Sequence, residues 1–200
     1  IYTYNMTQIC HNMRDLDKNE KIIIKELVKN PRISDNQIAK NTGLAVKSVN
    51  RKRKRLEDDN LLFYFTHTDN SLEGTGSFSA RHLYIIELKQ GITRAKFIDK
   101  FKHSDIHLIL QKHCLNSYLA ESDGILKLVL FIESYMDSDI LEIFNADYLP
   151  KLEVLFGKGC ITNISTLTLN TTLQLFHNYF PSINMKQGKI KDNWGKIFIE

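Results

Sequence analysis

The chain has 200 residues, enough for one large domain or two small ones, and its 42% hydrophobic content supports a packed core. No apolar run approaches the ~20 residues that cross a bilayer, and the opening around Ile1 is too short and polar for a signal peptide. Its three cysteines, Cys10, Cys114 and Cys160, form neither a CxxC pair nor a disulfide framework. We therefore expect a cytoplasmic protein with no membrane partner.

Positive charge is concentrated in the first third of the chain. Residues 1–65 hold 13 Lys and Arg against 8 Asp and Glu, a net charge of +5, whereas the remainder has a net charge of −1. Six of the nine residues in 47–55 are basic. Such a stripe suits a polyanionic partner, and a solvated helix face is the alternative that charge alone leaves open.

The first predicted elements are two helices. After a short extension over residues 1–14, helical patterning begins near Leu16. Its apolar face comprises Ile23, Ile24, Leu27 and Val28. Pro31 ends this helix, because the residue before proline is pushed out of the helical region. Ser34 and Gln37 have capping-box spacing, so a second helix is expected to begin there and to carry Ile38 and Ala39.

A third helix is predicted from Val46 to Asp58, stopped by Asn60 in the left-handed conformation. Ala39, Gly43 and Val49 supply a small residue where two helices touch, a glycine in the turn and a β-branched plug. This spacing is typical of a helix-turn-helix. The alternating aromatic and polar residues of 61–68 predict a wing strand.

The second half of the chain predicts a βαββαβ order. The expected strands are 82–89, 115–121, 125–133 and 161–169, and the expected helices are 93–102 and 139–156, the latter kinked or broken at Pro150. Asp123-Gly124 predicts a tight hairpin turn. This order describes a ferredoxin-like sandwich, so the fold class is α+β. The closing residues 194–199 resemble one more strand, which could pair with a neighbour.

The domain plan that follows has five parts. Residues 1–14 are an N-terminal extension, 15–68 a winged helix-turn-helix, 69–80 a small polar linker, 81–175 the ferredoxin-like domain and 176–200 a C-terminal extension. A small antiparallel sheet leaves a face or an edge exposed, which predicts at least a homodimer.

The N-terminal part resembles the DNA-binding domain of the Lrp/AsnC regulators, which are prokaryotic and often archaeal. The matching residues are Leu16-Asp17, Ile23-Ile24, Leu27, Asn30-Pro-Arg-Ile-Ser34, Ile38-Ala39, Gly43-Leu44, Val49 and Arg55-Leu56-Glu57. The resemblance implies a second domain, over 81–175, that dimerises and often binds an amino acid. Three departures stand out: Ala45 replaces the usual serine cap, Arg53 stands at an apolar place, and the glycine of the effector loop is displaced within 121–124. The effector-binding residues therefore stay unassigned.

The third helix is the expected reader of double-stranded DNA. Val49 and Leu56 point inward, so we assign base contacts to Lys47, Asn50 and Arg51. Phosphate contacts are assigned to Lys52, Lys54 and Arg55, and to Arg32 with the amides after Ser34. Ser48 is a further expected DNA-binding residue. Arg55 has an alternative role in an ion pair with Glu57 or Asp58. Arg53 either extends outward or adds to the DNA face.

The predicted function is a sequence-specific DNA-binding regulator, modulated by a small ligand such as an amino acid, without enzymatic activity or a cofactor. His103 and His107 have helical metal-ligand spacing and His113 follows. This stretch is expected to be a helix end and loop, and no paired carboxylate or cysteine supports a site there, so no metal is predicted. Two alternatives remain open. One is an architectural protein that binds DNA without sequence choice; the other is an enzyme like the sirohaem decarboxylases, which resemble this family and have a degenerate DNA-binding half.

Overall fold

A computed structural model describes residues 14–70 and 74–199. The chain divides into two compact units: one comprises the chain up to Thr66 together with the chain from Thr172, and the other comprises His67–Thr171. The predicted extension over 1–14 and Cys10 lie outside the described residues, apart from Arg14. The boundaries of the five predicted parts stay predictions.

Three helices form the first unit: α1 (Lys18–Lys29), α2 (Asp35–Thr42) and α3 (Val46–Asp58). Each begins and ends where the local sequence dictates. Asp17 and Glu20 form a reciprocal capping box at α1, Ser34 caps α2, and Gly43 ends α2 with φ 74°. The helices enclose a small apolar core of Ile23, Leu27, Ile38, Ala39 and Val49. The helix-turn-helix prediction is confirmed.

The predicted wing strand over 61–68 is wrong. Asn60 adopts φ 55° and ends α3 as expected, but residues 61–68 follow as an irregular segment that belongs to no sheet among the described residues. Alternation alone does not make a strand, because a strand also needs a partner for its amides and carbonyls. Leu62 packs against the three-helix core, and Phe65 is 81% exposed.

The second unit contains one four-stranded antiparallel sheet. Its strands are β1 (Ala80–Leu88), β2 (Cys114–Ser122), β3 (Ile125–Ser134) and β4 (Ile161–Thr168), in the order β2-β3-β1-β4. Between them lie α4 (Arg94–Lys102), α5 (Ile106–His113), α6 (Asp137–Glu142), a π-helical segment (Ile143–Tyr148) and α7 (Leu149–Phe156). This topology confirms the ferredoxin-like α+β prediction.

Two local features of this unit refine the prediction. Asp123 and Gly124 both have positive φ, 55° and 73°, as a two-residue hairpin turn of type I′ requires. The second long helix is interrupted by the π segment just before Pro150, whose missing amide cannot continue the hydrogen-bond ladder. The structure also has a helix, α5, where the sequence predicted a helix end and loop.

The sheet has one covered face and one open face. Alternate residues of β1 and β3 are buried in a core that includes Tyr84, Ile86, Leu128 and Leu130. The opposite face is only half-buried. The cross-strand register places six apolar side chains at its centre, namely Leu83, Ile85, Tyr118, Val129, Phe131 and Leu167. Ion pairs border them, Arg81–Glu133 at 2.8 Å and Lys127–Glu87 at 2.9 Å.

The C-terminal segment belongs to the first unit. It contains α8 (Pro181–Asn184), β5 (Met185–Lys186) and β6 (Lys189–Ile190), and the Tyr179 hydroxyl donates to the Val28 carbonyl at 2.9 Å near the end of α1. The strand predicted over 194–199 is wrong. The Phe198 backbone instead binds the side chain of Asn178. The Phe198 amide donates to Asn178 Oδ1 at 2.8 Å, and Asn178 Nδ2 donates to the Phe198 carbonyl at 3.3 Å. A side chain thus replaces the partner strand.

Candidate nucleic-acid interface

Helix α3 presents a basic surface on the side away from its core. Val49 and Leu56 are fully buried, which fixes the rotation of the helix. Lys47, Arg51 and Lys54 are therefore exposed together, as predicted. Ala45 makes no side-chain cap, so the first amides of α3 carry no side-chain acceptor there.

The six basic residues of 47–55 fall into two groups. Lys47, Arg51 and Lys54 form no ion pair with the described part of the chain, and neither does the exposed Arg32 near the start of α2.

Lys52 is half-buried and pairs with Asp17, and Arg55 lies 3.6 Å from Asp59. The local partner of Arg55 is thus Asp59 rather than Glu57 or Asp58. At 57% exposure Arg55 remains accessible to a phosphate.

Arg53 takes neither of the roles expected from the sequence. Its Nη1 donates to Asp35 Oδ1 at 3.0 Å and to the Ile33 carbonyl at 3.2 Å, and its Nε donates to the Tyr64 hydroxyl at 2.8 Å. Its guanidinium also lies 5.3 Å from the centre of the Tyr64 ring. Arg53 therefore ties α3 to the start of α2 and to the segment after α3.

Tyr64 completes this network. Its hydroxyl donates to Glu57 at 2.8 Å while accepting from Arg53. Burial and the hydrogen bond to Glu57 raise the pKa of Tyr64 to about 12. The phenol is therefore neutral at physiological pH and remains a hydrogen-bond donor.

An open groove lies between the start of α2 and the first half of α3. It is lined by Ser34, Asp35, Asn36, Val46, Lys47, Asn50 and Arg53. Asn50 is exposed, and its Nδ2 donates to Asp35 Oδ2 at 2.9 Å. The sequence assigned Asn50 to base contacts but missed Asp35. An i,i+15 pair between two helices has no signal in local periodicity.

Serine residues have smaller roles in the described structure. The Ser34 hydroxyl accepts from the Gln37 amide at 3.2 Å, as predicted, but the Gln37 side chain donates to Asn41 instead of reaching back. Ser48 is half-buried beside Val49. The base and phosphate assignments for all nine predicted residues stay predictions.

The second unit shows no metal site within the described residues: no three His, Cys, Asp or Glu side chains converge there. His103 Nδ1 donates to the Asp99 carbonyl at 2.8 Å, and His113 Nδ1 donates to the Glu133 carbonyl at 3.0 Å. Glu121 and Ser122 belong to β2, and the tight turn follows directly. No helix of the described residues combines the length and apolar character that crossing a bilayer requires.

Comparison with known proteins agrees with this geometry. Residues 16–62 match the family model described as winged helix-turn-helix DNA-binding. AsnC of Escherichia coli superposes with a TM-score of 0.59 at 11% identity, over 82% of this chain and 98% of that one. LrpC of Bacillus subtilis gives 0.57 at 14% identity, over 80% and 99%.

The chain has the Lrp/AsnC fold. A transcriptional regulator of Neisseria meningitidis, solved in complex with L-Met, shares this fold at a TM-score of 0.60 and 14% identity, over 84% of this chain and 96% of that one. Among curated protein sequences, none matches this chain significantly. The resemblance seen in the residues of 16–57 is thus confirmed in its DNA-binding domain and extends to the fold of the second unit.

Proposed function

We propose that this protein is a transcription regulator that binds double-stranded DNA sequence-specifically through α3. The observation that carries the proposal is the exposed basic surface of Lys47, Arg51 and Lys54 on the second helix of a helix-turn-helix. A helix of this kind enters the major groove, where arginine and lysine donate to guanine and asparagine pairs with adenine. Such a regulator acts in the cytoplasm, on the chromosome.

Salt-titrated binding to a random duplex pool, followed by sequencing of the bound fraction, tests the proposal. We expect an enriched, partly symmetric motif and a steep fall in affinity with salt, because each lysine or arginine that neutralises a phosphate releases counterions. The matched control is a variant with Lys47, Arg51 and Lys54 all replaced by alanine. It should lose the motif and part of the salt dependence, because Lys54 is one of the residues assigned to phosphates.

The clustered charge also supports the architectural alternative. Tight, salt-dependent binding of the wild-type protein with no enriched motif would establish non-specific binding and would contradict sequence-specific regulation. The enzyme alternative would be supported instead if the protein did not bind duplex but did bind a tetrapyrrole. Tetrapyrrole binding is measured by the absorption spectrum of the tetrapyrrole. We favour regulation because an enzyme has no need for a basic reading helix.

The open face of the sheet supports a homodimer. Its six central apolar side chains are half-buried or exposed in one chain, and two ion pairs border them on opposite sides. An apolar centre with a polar rim is the pattern of a protein interface, and a second copy of the same face is complementary to it by two-fold symmetry. Two reading helices would then contact half-sites about one DNA turn apart.

A small ligand is the proposed modulator of this assembly. The L-Met complex of the Neisseria regulator makes amino acids the first ligands to test. A ligand shifts the assembly only if it binds one arrangement better than another. An amino acid that raises the thermal stability of the protein and alters its affinity for the enriched DNA motif would support this role. If none of the twenty amino acids changes either quantity, amino-acid sensing is contradicted.

A further inference from the structure

The hydrogen bond between Asn50 and Asp35 carries an inference that rests on the proposed function and deepens it. Asn50 is exposed on α3, in the groove that faces the proposed DNA surface, and its Nδ2 donates to Asp35 Oδ2 at 2.9 Å. An asparagine amide can be turned either way by rotation about its terminal bond, and only its partners decide which end is the donor. Here the partner is a carboxylate.

The carboxylate of Asp35 is itself held in place. Its other oxygen, Oδ1, accepts from Arg53 Nη1 at 3.0 Å, and Arg53 is fixed by the Ile33 carbonyl and the Tyr64 hydroxyl. The guanidinium donates to this oxygen, and a carboxylate paired in this way only accepts hydrogen bonds. A reversed Asn50 amide would place Oδ1 against the carboxylate oxygen, which is repulsive.

We propose that Asp35 is a positioning residue that sets the base specificity of Asn50. With one N–H of Nδ2 committed to Asp35, Asn50 presents its second N–H and its Oδ1 to an incoming base. One donor beside one acceptor is the pattern that pairs with N7 and N6 of adenine in the major groove. The amide is oriented before DNA binds, so no free energy of binding is spent on excluding the reversed orientation.

Asp35 also has an effect of opposite sign. Its negative charge lies at the edge of a basic surface, close to where phosphates bind, and therefore weakens affinity for any duplex. Removing the charge should raise affinity for DNA in general while lowering the preference for one base. A residue that only stabilised the fold would lower both together.

The test compares the wild type with Asp35→Asn, Asn50→Ala, the double variant and Asp58→Asn. Asp58 is an exposed acid in the last turn of α3, so its replacement removes the same charge without touching Asn50. Each protein is taken through selection from a random duplex pool, and affinities are measured for the enriched motif and for its single-base changes. Thermal unfolding of each variant is recorded alongside.

For Asp35→Asn we expect affinity for unrelated duplex to rise severalfold. Discrimination for adenine at one position of each half-site should fall about tenfold. Asn50→Ala should lose the same preference, and the double variant should lose no more, since Asp35 acts through Asn50. Asp58→Asn should keep the motif intact. If Asp35→Asn does not fold, Asp35→Glu, which retains the charge but moves the carboxylate, should lose part of the preference.

Retention of the full motif by a folded Asp35→Asn protein, or by Asp35→Glu where Asp35→Asn does not fold, would overturn the inference alone. A uniform loss of affinity for all sequences, in step with lowered thermal stability, would overturn it as well. A wild-type protein without any enriched motif would remove the proposed function, and this inference with it.

Discussion

The fully buried carboxylate of Glu20 lies 2.8 Å from the guanidinium of Arg14. The same carboxylate accepts the Asp17 amide at 3.0 Å, so it closes the capping box of α1, and Arg14 reaches on to Asp59 at 2.8 Å. Burial acts to raise the pKa of Glu20, but the hydrogen bonds from Arg14 and the Asp17 amide outweigh it and lower the pKa. A buried charge of this kind depends on its partners.

We therefore expect Arg14→Ala to lower the midpoint of thermal unfolding by several degrees, because a buried carboxylate is left without its counter-ion. The exposed Arg32→Ala is the matched control and should leave the midpoint nearly unchanged. Since the pKa of Glu20 is lowered in the folded state, the wild-type protein gains this stability above the usual carboxylate pKa of ~4.3 and loses it as the pH falls further. The midpoint of thermal unfolding, measured from pH 7 to pH 3, should fall more steeply with decreasing pH in the wild type than in Arg14→Ala. Parallel curves would contradict the role of Arg14 as the partner of the Glu20 carboxylate.

Asn184 stabilises the C-terminal segment from within. It is fully buried, its Oδ1 accepts the Phe180 amide at 3.0 Å, and its Nδ2 donates to the Asn178 carbonyl at 2.9 Å. Asn184→Ala leaves both backbone groups without this partner, which should cost about 2 kcal/mol of unfolding free energy for the first unit. Chemical denaturation measures the loss.

The exposed Asn193→Ala is the matched control for that experiment and should cost little. Equal stability of Asn184→Ala and the wild type would show that the two hydrogen bonds of Asn184 contribute nothing to the folding of the first unit.

Features with local causes were predictable. The ends of α3 follow from Val46, Asn60 and the inward pair Val49 and Leu56, all within one stretch of chain. The positions of the strands along the chain follow from alternating apolar residues, and the pairing of β2 with β3 follows from the Asp123-Gly124 turn. In each case the residues that determine the structure are neighbours in sequence, so the pattern is visible before folding.

Features with distant causes were missed. The hydroxyl of Tyr179 binds the Val28 carbonyl across 151 residues, and no local pattern indicates that contact. The same holds for Arg53, whose partners Asp35 and Tyr64 lie on other segments. Helix α5 was missed because it is short and begins after Ser104 and Asp105, which favour turns as readily as helix starts.

The roles of Arg51 and Lys54 should separate experimentally. Arg51→Ala should cost ~1–3 kcal/mol of binding free energy for the preferred site and relax specificity at one base pair, because a bidentate base contact is lost. Lys54→Ala should weaken binding to all sequences alike and reduce the salt slope by about one. Salt-titrated affinities for the enriched motif and a scrambled duplex distinguish the two, and equal effects would contradict the division between base and phosphate contacts.

The open face of the sheet gives the last prediction. Leu83 lies at its centre, opposite Phe131 on one side and Leu167 on the other. A charge there is tolerated in a single chain because the face is only half-buried, but two copies cannot close over it without burying unpaired carboxylates. Leu83→Glu should therefore sediment as a monomer, retain its thermal unfolding transition and lose affinity for duplexes that carry two half-sites.

Val154→Glu, at a side chain that is 85% exposed on α7, adds the same charge elsewhere and should leave both assembly and binding unchanged. A wild-type protein that sediments as a monomer at micromolar concentration, or a Leu83→Glu variant that stays dimeric, would show that copies of the chain do not meet through this face.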